Sequence, residues 1–524
     1  MGNIQQRILA WWKSDREKQD HQRFQRTVKD FRLIFPALFT WTLTYYVMNG
    51  SLTAVWCLQL LGVMVVIASV SAYCASQRRA SSSISSALSQ QLFLSVLCVF
   101  TQFLVLLFGG YFHLPEVMAV SADDQVMVSG TVQSARPIND RVRLLKMDAN
   151  SLKTPSEQHI FPAEVTLFSA EKIVAGEHIA VTGKLSQKNS EIRMKPVGEI
   201  QHFSTDGTSS LVTLKEQAQK SALSAMNADS AALLLGLSYG DDSSMTPATQ
   251  SAFKIAGLTH LTAVSGANMS LIFMLIFRTG LCCGMNRKML IIGGVGGTFG
   301  YGLLVGLDGS VIRAWAMGLL GAVALLRGSG KSNIPLLCCC VLVLLAIRPH
   351  LCHDLGFILS VVATAALLIL GPALVQLMSL WMPIFCAELL AMTVSATLWT
   401  TPFIVMLSHM LTPYGVLANV LATPVVFPIT LLGLIFLATQ AFHWQLLEQL
   451  VLIPSAISTE WLLGVAHWIE KLPYSAVPLP DSPTTQLLSF LIVVVISGLI
   501  FGLHYRLVQA PQSIYTRQVH HGAA

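Results

Sequence analysis

Two patterns alternate along this chain. Apolar residues run on in stretches of about 20, the length that spans a bilayer. Between Leu33 and Pro115 the only charges on Asp, Glu, Lys or Arg are Arg78 and Arg79. Three spans are predicted near 33–48, 52–74 and 92–112. From 257 to 505 the apolar runs return, and nine more spans are placed near 258–277, 289–307, 311–326, 333–347, 355–371, 385–407, 415–440, 450–468 and 485–503. Several are short enough to be re-entrant or to lie in the interface.

Residues 120–206 follow a different rule. "QVMVSGTVQSA", "RVRLLKMD", "AEVTLFS" and "EHIAVTGKLSQ" alternate with period two and are separated by Asn, Asp, Ser and Gly. That predicts four or five short strands, and a small barrel of the OB type fits so few residues. After it, "LVTLKEQAQKSALSAM" reads as an amphipathic helix, and Thr246–Pro247 as a helix start. The fold class expected is a multi-pass α-helical membrane protein with about 12 spans and one small extracytoplasmic all-β OB-like domain.

Composition agrees. The chain has 524 residues, 53% of them hydrophobic and 11% charged, where a soluble domain is about one quarter charged. The net charge of +6 does not by itself point to nucleic acid, because Lys and Arg collect on cytoplasmic loops. Residues 1–32 hold eight basic and four acidic residues and read as a cytoplasmic basic arm. The Arg78–Arg79 loop falls on the same side, so the β-domain at 120–206 is extracytoplasmic. Residues 33–115 form an N-terminal transmembrane region, 210–505 a second one, and 506–524 a cytoplasmic tail. The ten cysteines lie in or beside apolar runs, where Cys acts as a small hydrophobe, so neither a disulfide framework nor a zinc site is expected.

Several motif matches fail. "RGSGKS" (327–332) has Leu325 where a phosphate-binding loop needs Gly. "HLCHD" (350–354) offers two histidines and a carboxylate without further ligands, and "SAFK" (251–254) lacks companion motifs. "GGVGGTFGYG" places Gly293 four before Gly297, a spacing that lets membrane helices pack closely. No metal or cofactor is expected, and without a complete catalytic constellation an enzyme is the least expected reading.

"GLTHLTAVSGANMSLI" (257–272) lies at the head of an apolar run yet carries Thr259, His260, Thr262, Ser265, Asn268 and Ser270. On a helix, Thr259, Thr262, Gly266 and Ser270 share one arc. Thr262, Gly266 and Ser270 make a small-residue packing face, while His260, Ser265 and Asn268 fit the lining of a polar path. "SG" could also break the helix. Geometry alone leaves packing and lining equally open. Arg313, after "GLDGSVI", opens a span on its outer side, either snorkelling with Asp308 as partner or receiving an anion at a mouth. Asp354 could pair with Arg348. The β-domain carries Arg136, Arg141, Arg143, Lys184 and Lys195; such folds often bind single nucleic-acid strands, but Phe161 and Phe168 are nearly its only aromatics for base stacking, so a purely structural external module is an equally open reading.

The run 257–272 resembles the signature of the competence domain of the ComEC family, the channels for DNA uptake in natural transformation. "AALLLGLSYGDDSSM" (231–245), "GSVIRAWAM" (309–317), "DLGFILS" (354–360) and "PYGVLANVLATPVV" (413–426) resemble further family elements in order. Arg313, Asp354 and Asn419 stand in motif positions. The resemblance implies a channel passing single-stranded DNA across the cytoplasmic membrane, lined by His260, Ser265, Asn268, Arg313, Asp354 and Asn419. It also implies an external DNA receptor and a cytoplasmic helicase-like motor as partners, and a homo-oligomer is compatible with it. No His-x-His-x-Asp-His cluster occurs, so the chain resembles a short form without the metallo-β-lactamase-like domain of longer members. The rival reading is a transporter of a lipid or small solute, since fold does not fix function.

Overall fold

A computed structural model describes residues 33–48, 95–106, 125–139, 142–153, 158–171, 173, 178–188, 191–197, 200–203, 208–241, 244–262, 266–305, 309–326 and 333–509. The basic arm, the 52–74 span, the Arg78–Arg79 loop, Arg141, Ser265 and Asp308 lie outside them. The chain divides into two compact units, Met1–Glu116 with Leu319–His353, and Val117–Gly318 with Asp354–Ala524.

In the first unit, α1 (Ile34–Met48) and α2 (Ser95–Leu106) bury Leu43, Val47, Val99, Phe103 and Leu106. Gln102, 2% exposed, donates from Nε2 to Thr44 Oγ1 at 3.1 Å and to the Leu345 carbonyl at 2.9 Å. One amide thereby ties α2 to α1 and to Asn333–Ile347, the helix labelled α9 below.

The second unit begins with the strands. They are β1 (Val126–Asn139), β2 (Val142–Lys153), β3 (Gln158–Ser169), β4 (His178–Lys188), β5 (Glu191–Pro196) and β6 (Gln201–Phe203). They join in the order β1-β2-β3-β5-β4-β6, and β1 also pairs with β4. Five strands therefore close on themselves, with β3 and β5 parallel and the other pairs antiparallel. Alternation explains the closure. Val126, Val128, Leu145, Met147, Val165 and Ile179 are fully buried inside, with the every-second-residue spacing of strands that turn one face inward. Irregular register at Ser129/Gly130 and Ala149/Ser151 bends the strands around the barrel.

The helices that follow are α3 (Thr208–Ala225), α4 (Ala228–Tyr239), α5 (Pro247–Ile255), α6 (Gly266–Cys282), α7 (Arg287–Val305) and α8 (Gly309–Leu326), which crosses the division between units. Then come α9, α10 (Leu355–Ile369), α11 (Gly371–Met378), α12 (Ile384–Ser408), α13 (Gly415–Phe442), α14 (Gln445–Glu470) and α15 (Pro483–His504). Strands β7 (Met410–Leu411) and β8 (Val477–Pro478) pair antiparallel.

Helix α4 is the axis of the core. Every residue from Ser230 to Tyr239 is buried, as expected of a helix apolar on all sides. Asn227 caps its start by accepting from Ser230 N at 2.7 Å. Gly240, at φ 85°, ends it in the left-handed region. Asp229 then reaches the start of α5, accepting from Thr246 N at 2.7 Å and from Thr249 Oγ1 at 2.7 Å. Helices α13 and α14 pack on α4. Gly433 of α13 lies where any side chain would collide with Ser238. Trp461 of α14 donates to the Leu421 carbonyl at 3.0 Å, just before Pro424 interrupts the ladder of α13.

The protein is mostly helical, with membrane-spanning character. Among the described residues, five helices are long and apolar enough to cross a bilayer: Lys288–Val305, Ile384–Ser408, Gly415–Phe442, Gln445–Glu470 and Pro483–Leu507. A sixth arises if α10 and α11, bent by 45°, count as one. About 12 spans is thus more than these lengths support. The run predicted at 355–371 is one helix from Leu355 to Ile369, and Gly371 and Pro372 start the bent continuation just at its end. Helix α9 has 15 residues, about 22 Å at 1.5 Å per residue, against about 30 Å of hydrocarbon.

Candidate functional site

The turn at Gly257 is built by the end of α5. Gly257 has φ +71°, Leu258 N donates to Phe253 O at 2.8 Å, and Gly257 N to Lys254 O at 3.2 Å. This is the paired closure of a Schellman motif, and the apolar contact that accompanies it is supplied by Leu258 and Phe253, both buried. The first two letters of "GLTHLTAVSGAN" are thus a helix terminator. A Cβ on Gly257 would lie 3.2 Å from Thr412 Oγ1 and 3.4 Å from Gly415 Cα. The turn therefore abuts the start of α13, four residues before Asn419.

Thr259–Leu261 form one 3₁₀ turn, and Thr262 Oγ1 closes it by donating to the Thr259 carbonyl at 3.0 Å. Leu261 and Thr262 face inward, while Thr259 and His260 are exposed. The chain around His260 desolvates its ring enough to lower its pKa, against an opposing hydrogen bond with the Gly257 backbone.

Helix α6 begins at Gly266, so Thr259, Thr262, Gly266 and Ser270 do not share one helical arc. The packing face expected of Thr262, Gly266 and Ser270 is corrected accordingly. Ser270 is exposed and donates back to the Gly266 carbonyl at 3.3 Å. The close α6–α7 contact runs instead through α7 glycines. Phe273 lies 2.6 Å from where a Gly294 Cβ would be, Ile276 fills the equivalent place at Gly297, and Gly293 meets Ile276 at 3.8 Å.

Asn268 is 1% exposed and donates to the Leu237 carbonyl at 3.0 Å. Tyr301 of α7 donates to the Ser238 carbonyl at 2.8 Å and is hydrogen-bonded to Asn268 as well. Leu237 and Ser238 belong to the last turn of α4, whose carbonyls have no amide partner further along their own helix. Asn268 and Tyr301 thus cap α4 from two other helices. Nothing in the sequence pattern singled out Tyr301.

Arg313 is 7% exposed. Its Nε donates to Ser360 Oγ at 2.6 Å, and its Nη1 to Thr364 Oγ1 at 3.1 Å and Met317 Sδ at 3.3 Å. Ser360 and Thr364 stand four apart on α10, on one face. Nη2 lies 2.7 Å from the position a Gly266 Cβ would take. The guanidinium is thus held among helices, where the sequence reading set it at a mouth or snorkelling outward. Three motif segments, around Gly266, Arg313 and Ser360, meet there. Ser360 closes the quoted "DLGFILS", which is the one signal that could have found it.

Asp354 caps α10 by accepting from Phe357 N at 2.6 Å, a favourable place for a carboxylate. Its Oδ1 passes 3.1 Å from a would-be Gly356 Cβ, and Phe357 is buried. The Asp-x-Gly-Phe spacing is therefore a helix start. Asn419 is half-buried and donates to the Gly415 carbonyl at 2.8 Å.

On the barrel, Lys184 and Lys195 are exposed and directly opposite each other on β4 and β5. Arg136 and Arg143 lie at the far end of the β1–β2 ladder. A shallow groove of about 470 Å³ crosses the outer face between Lys153 and His178, floored by Met127, Ser129, Ser151, Ala180 and Gln201. Ser129 and Ser151 are hydrogen-bonded across it at 2.7 Å. Neither Lys153 nor His178 had been singled out from the sequence.

A family model described as Competence protein matches residues 237–504, just over half of the chain and all three segments that meet at Arg313. No curated protein and no solved structure gives a significant match.

Proposed function

The chain belongs to the Competence protein family, and from that premise we propose that it is a channel passing single-stranded DNA across the cytoplasmic membrane during natural transformation. Family membership ties it to competence and DNA uptake. The observation that carries the finer reading is the placement of the match. Residues 237–504 take in the turn at Gly257, the Arg313 junction and, among the described residues, four of the five long apolar helices and most of the fifth, Pro483–Leu507.

A DNA strand is a polyanion and cannot cross hydrocarbon without a polar path whose sites bind weakly enough to release it. On this proposal His260, exposed in the turn that follows Gly257, borders that path together with Asn419. Ser265 remains a candidate outside the described residues. Asn268, Arg313 and Asp354 act one layer back, by holding helix ends.

The strand order of the barrel supports an OB-type domain, a partly open five-stranded design that often binds oligonucleotides. Its outer face, with Lys153, His178, Lys184 and Lys195, is the proposed first contact for incoming DNA. The driving force then comes from an external receptor and a cytoplasmic motor as partners. Transport, with no chemistry on the strand, is the proposed activity.

The test is uptake of end-labelled DNA by a deletion strain, with surface-bound and nuclease-protected label counted separately. Loss of protected label with bound label intact supports the channel. Normal transformation by the deletion strain refutes it and favours a transporter of another substrate.

A further inference from the structure

The Arg313 junction carries a more specific inference. Arg313 projects a planar fork from α8. Two of its nitrogens, Nε and Nη1, are aligned on Ser360 and Thr364 of α10. Thr364 is held for that role because its own hydroxyl donates to the Ser360 carbonyl at 2.8 Å. The third nitrogen, Nη2, is thereby aimed at the first residue of α6, 2.7 Å from the site of an absent Cβ. The Ala314 Cβ closes the other side at 3.2 Å. There is room at position 266 for a hydrogen atom and for nothing larger unless the guanidinium moves.

The dipole of α6 does not favour a cation at its N-terminus. The hydroxyls of α10 hold the fork, and the absence of a side chain at 266 admits it. A lysine has one nitrogen at the end of its chain and lacks the fork. It can keep one hydroxyl and leave the space beside position 266 empty.

We propose that Arg313 is a positioning residue that fixes α10 against the start of α6, and that Gly266 is glycine because it seats the guanidinium. The role in transport rests on the channel reading above. The junction itself does not.

The experiment is a two-by-two set in the full chain: wild type, Gly266→Ala, Arg313→Lys, and both together. Two quantities are read, the Tm of the detergent-purified protein and internalised DNA per cell at matched protein level. Gly266→Ala is expected to lower Tm by several degrees and to cut internalised DNA with bound DNA unchanged. In the Arg313→Lys background the same substitution is expected to leave both readings where Arg313→Lys alone put them. If Gly266→Ala alone fails to accumulate, recovery of protein in the double variant is the same masking result, and failure to recover overturns the proposal. Equal, additive losses of Tm in the two backgrounds also overturn it. Masking in Tm with internalised DNA untouched by all three variants overturns the positioning role in transport. If the deletion strain itself takes up DNA normally, the channel reading fails, and the Tm cycle still decides the junction.

Discussion

Replacing Asn268 by Leu and Tyr301 by Phe removes, one at a time, the two side chains that cap α4. Each change keeps most of the buried volume and leaves one carbonyl, Leu237 or Ser238, without its donor. In a water-based reference a buried orphan costs about 1–3 kcal/mol. Between membrane helices the average is lower, about 0.6 and at most about 1.7 kcal/mol, because separated helices find other partners. The upper end applies here. These carbonyls sit in the last turn of a helix buried on every side, and no amide of their own helix can replace the missing donor. We therefore expect about 1.5 kcal/mol for each substitution. Asn268 and Tyr301 also bond each other, so the double variant should fall short of the sum by about 0.5 kcal/mol or more. The assay is unfolding of the purified full chain in mixed micelles, followed by tryptophan fluorescence. Effects below about 0.3 kcal/mol, or strict additivity, would refute the capping argument. So would an Asn268→Leu protein that is fully stable yet admits no DNA, because that is the behaviour of a path-lining residue.

Gly257→Ala should cost about 1 kcal/mol for the left-handed backbone alone, and more because Thr412 must yield; a normal melting curve would contradict this. Gln102→Leu should loosen the first unit by about 1 kcal/mol through removal of its two hydrogen bonds, measured by proteolysis rate at α2. Lys184→Ala with Lys195→Ala should weaken DNA binding by the reconstituted protein and reduce the log–log salt slope by about 0.7 for each phosphate no longer neutralised; an unchanged slope would show that this face does not meet DNA. His260 has its pKa lowered on folding, so the unfolded chain takes up the proton first. Stability is then full above about pH 6.5 and falls as the pH drops below it, and His260→Gln should flatten that fall.

The barrel was legible in the sequence because each strand has one buried face, and period-two alternation records that directly. Its order was not, since nothing in the pattern states that β1 pairs with both β2 and β4. The helical region was legible as membrane-spanning but not in its count. Hydropathy places a run at 355–371, and one helix fills it from Leu355 to Ile369, but the pattern does not show that a bent second helix, Gly371–Met378, follows at once. The run 257–272 shows the limit most clearly. Helical periodicity put Thr262, Gly266 and Ser270 on one face, but Gly257 ends one helix and Gly266 starts the next, so that face never forms. Spacing also cannot show where a polar side chain finds its partner. Asn268 reaches back to Leu237, and Arg313 forward to Ser360 and Thr364, across 31, 47 and 51 residues.

Admission of DNA to the cell is measured directly by comparing cells with and without this chain. A deletion strain and the same strain carrying the gene are given labelled double-stranded DNA, and nuclease-protected label is counted against total bound label. Equal binding is expected in both, with protected label lost in the deletion and restored by the gene. Equal protected label in the two strains would contradict it.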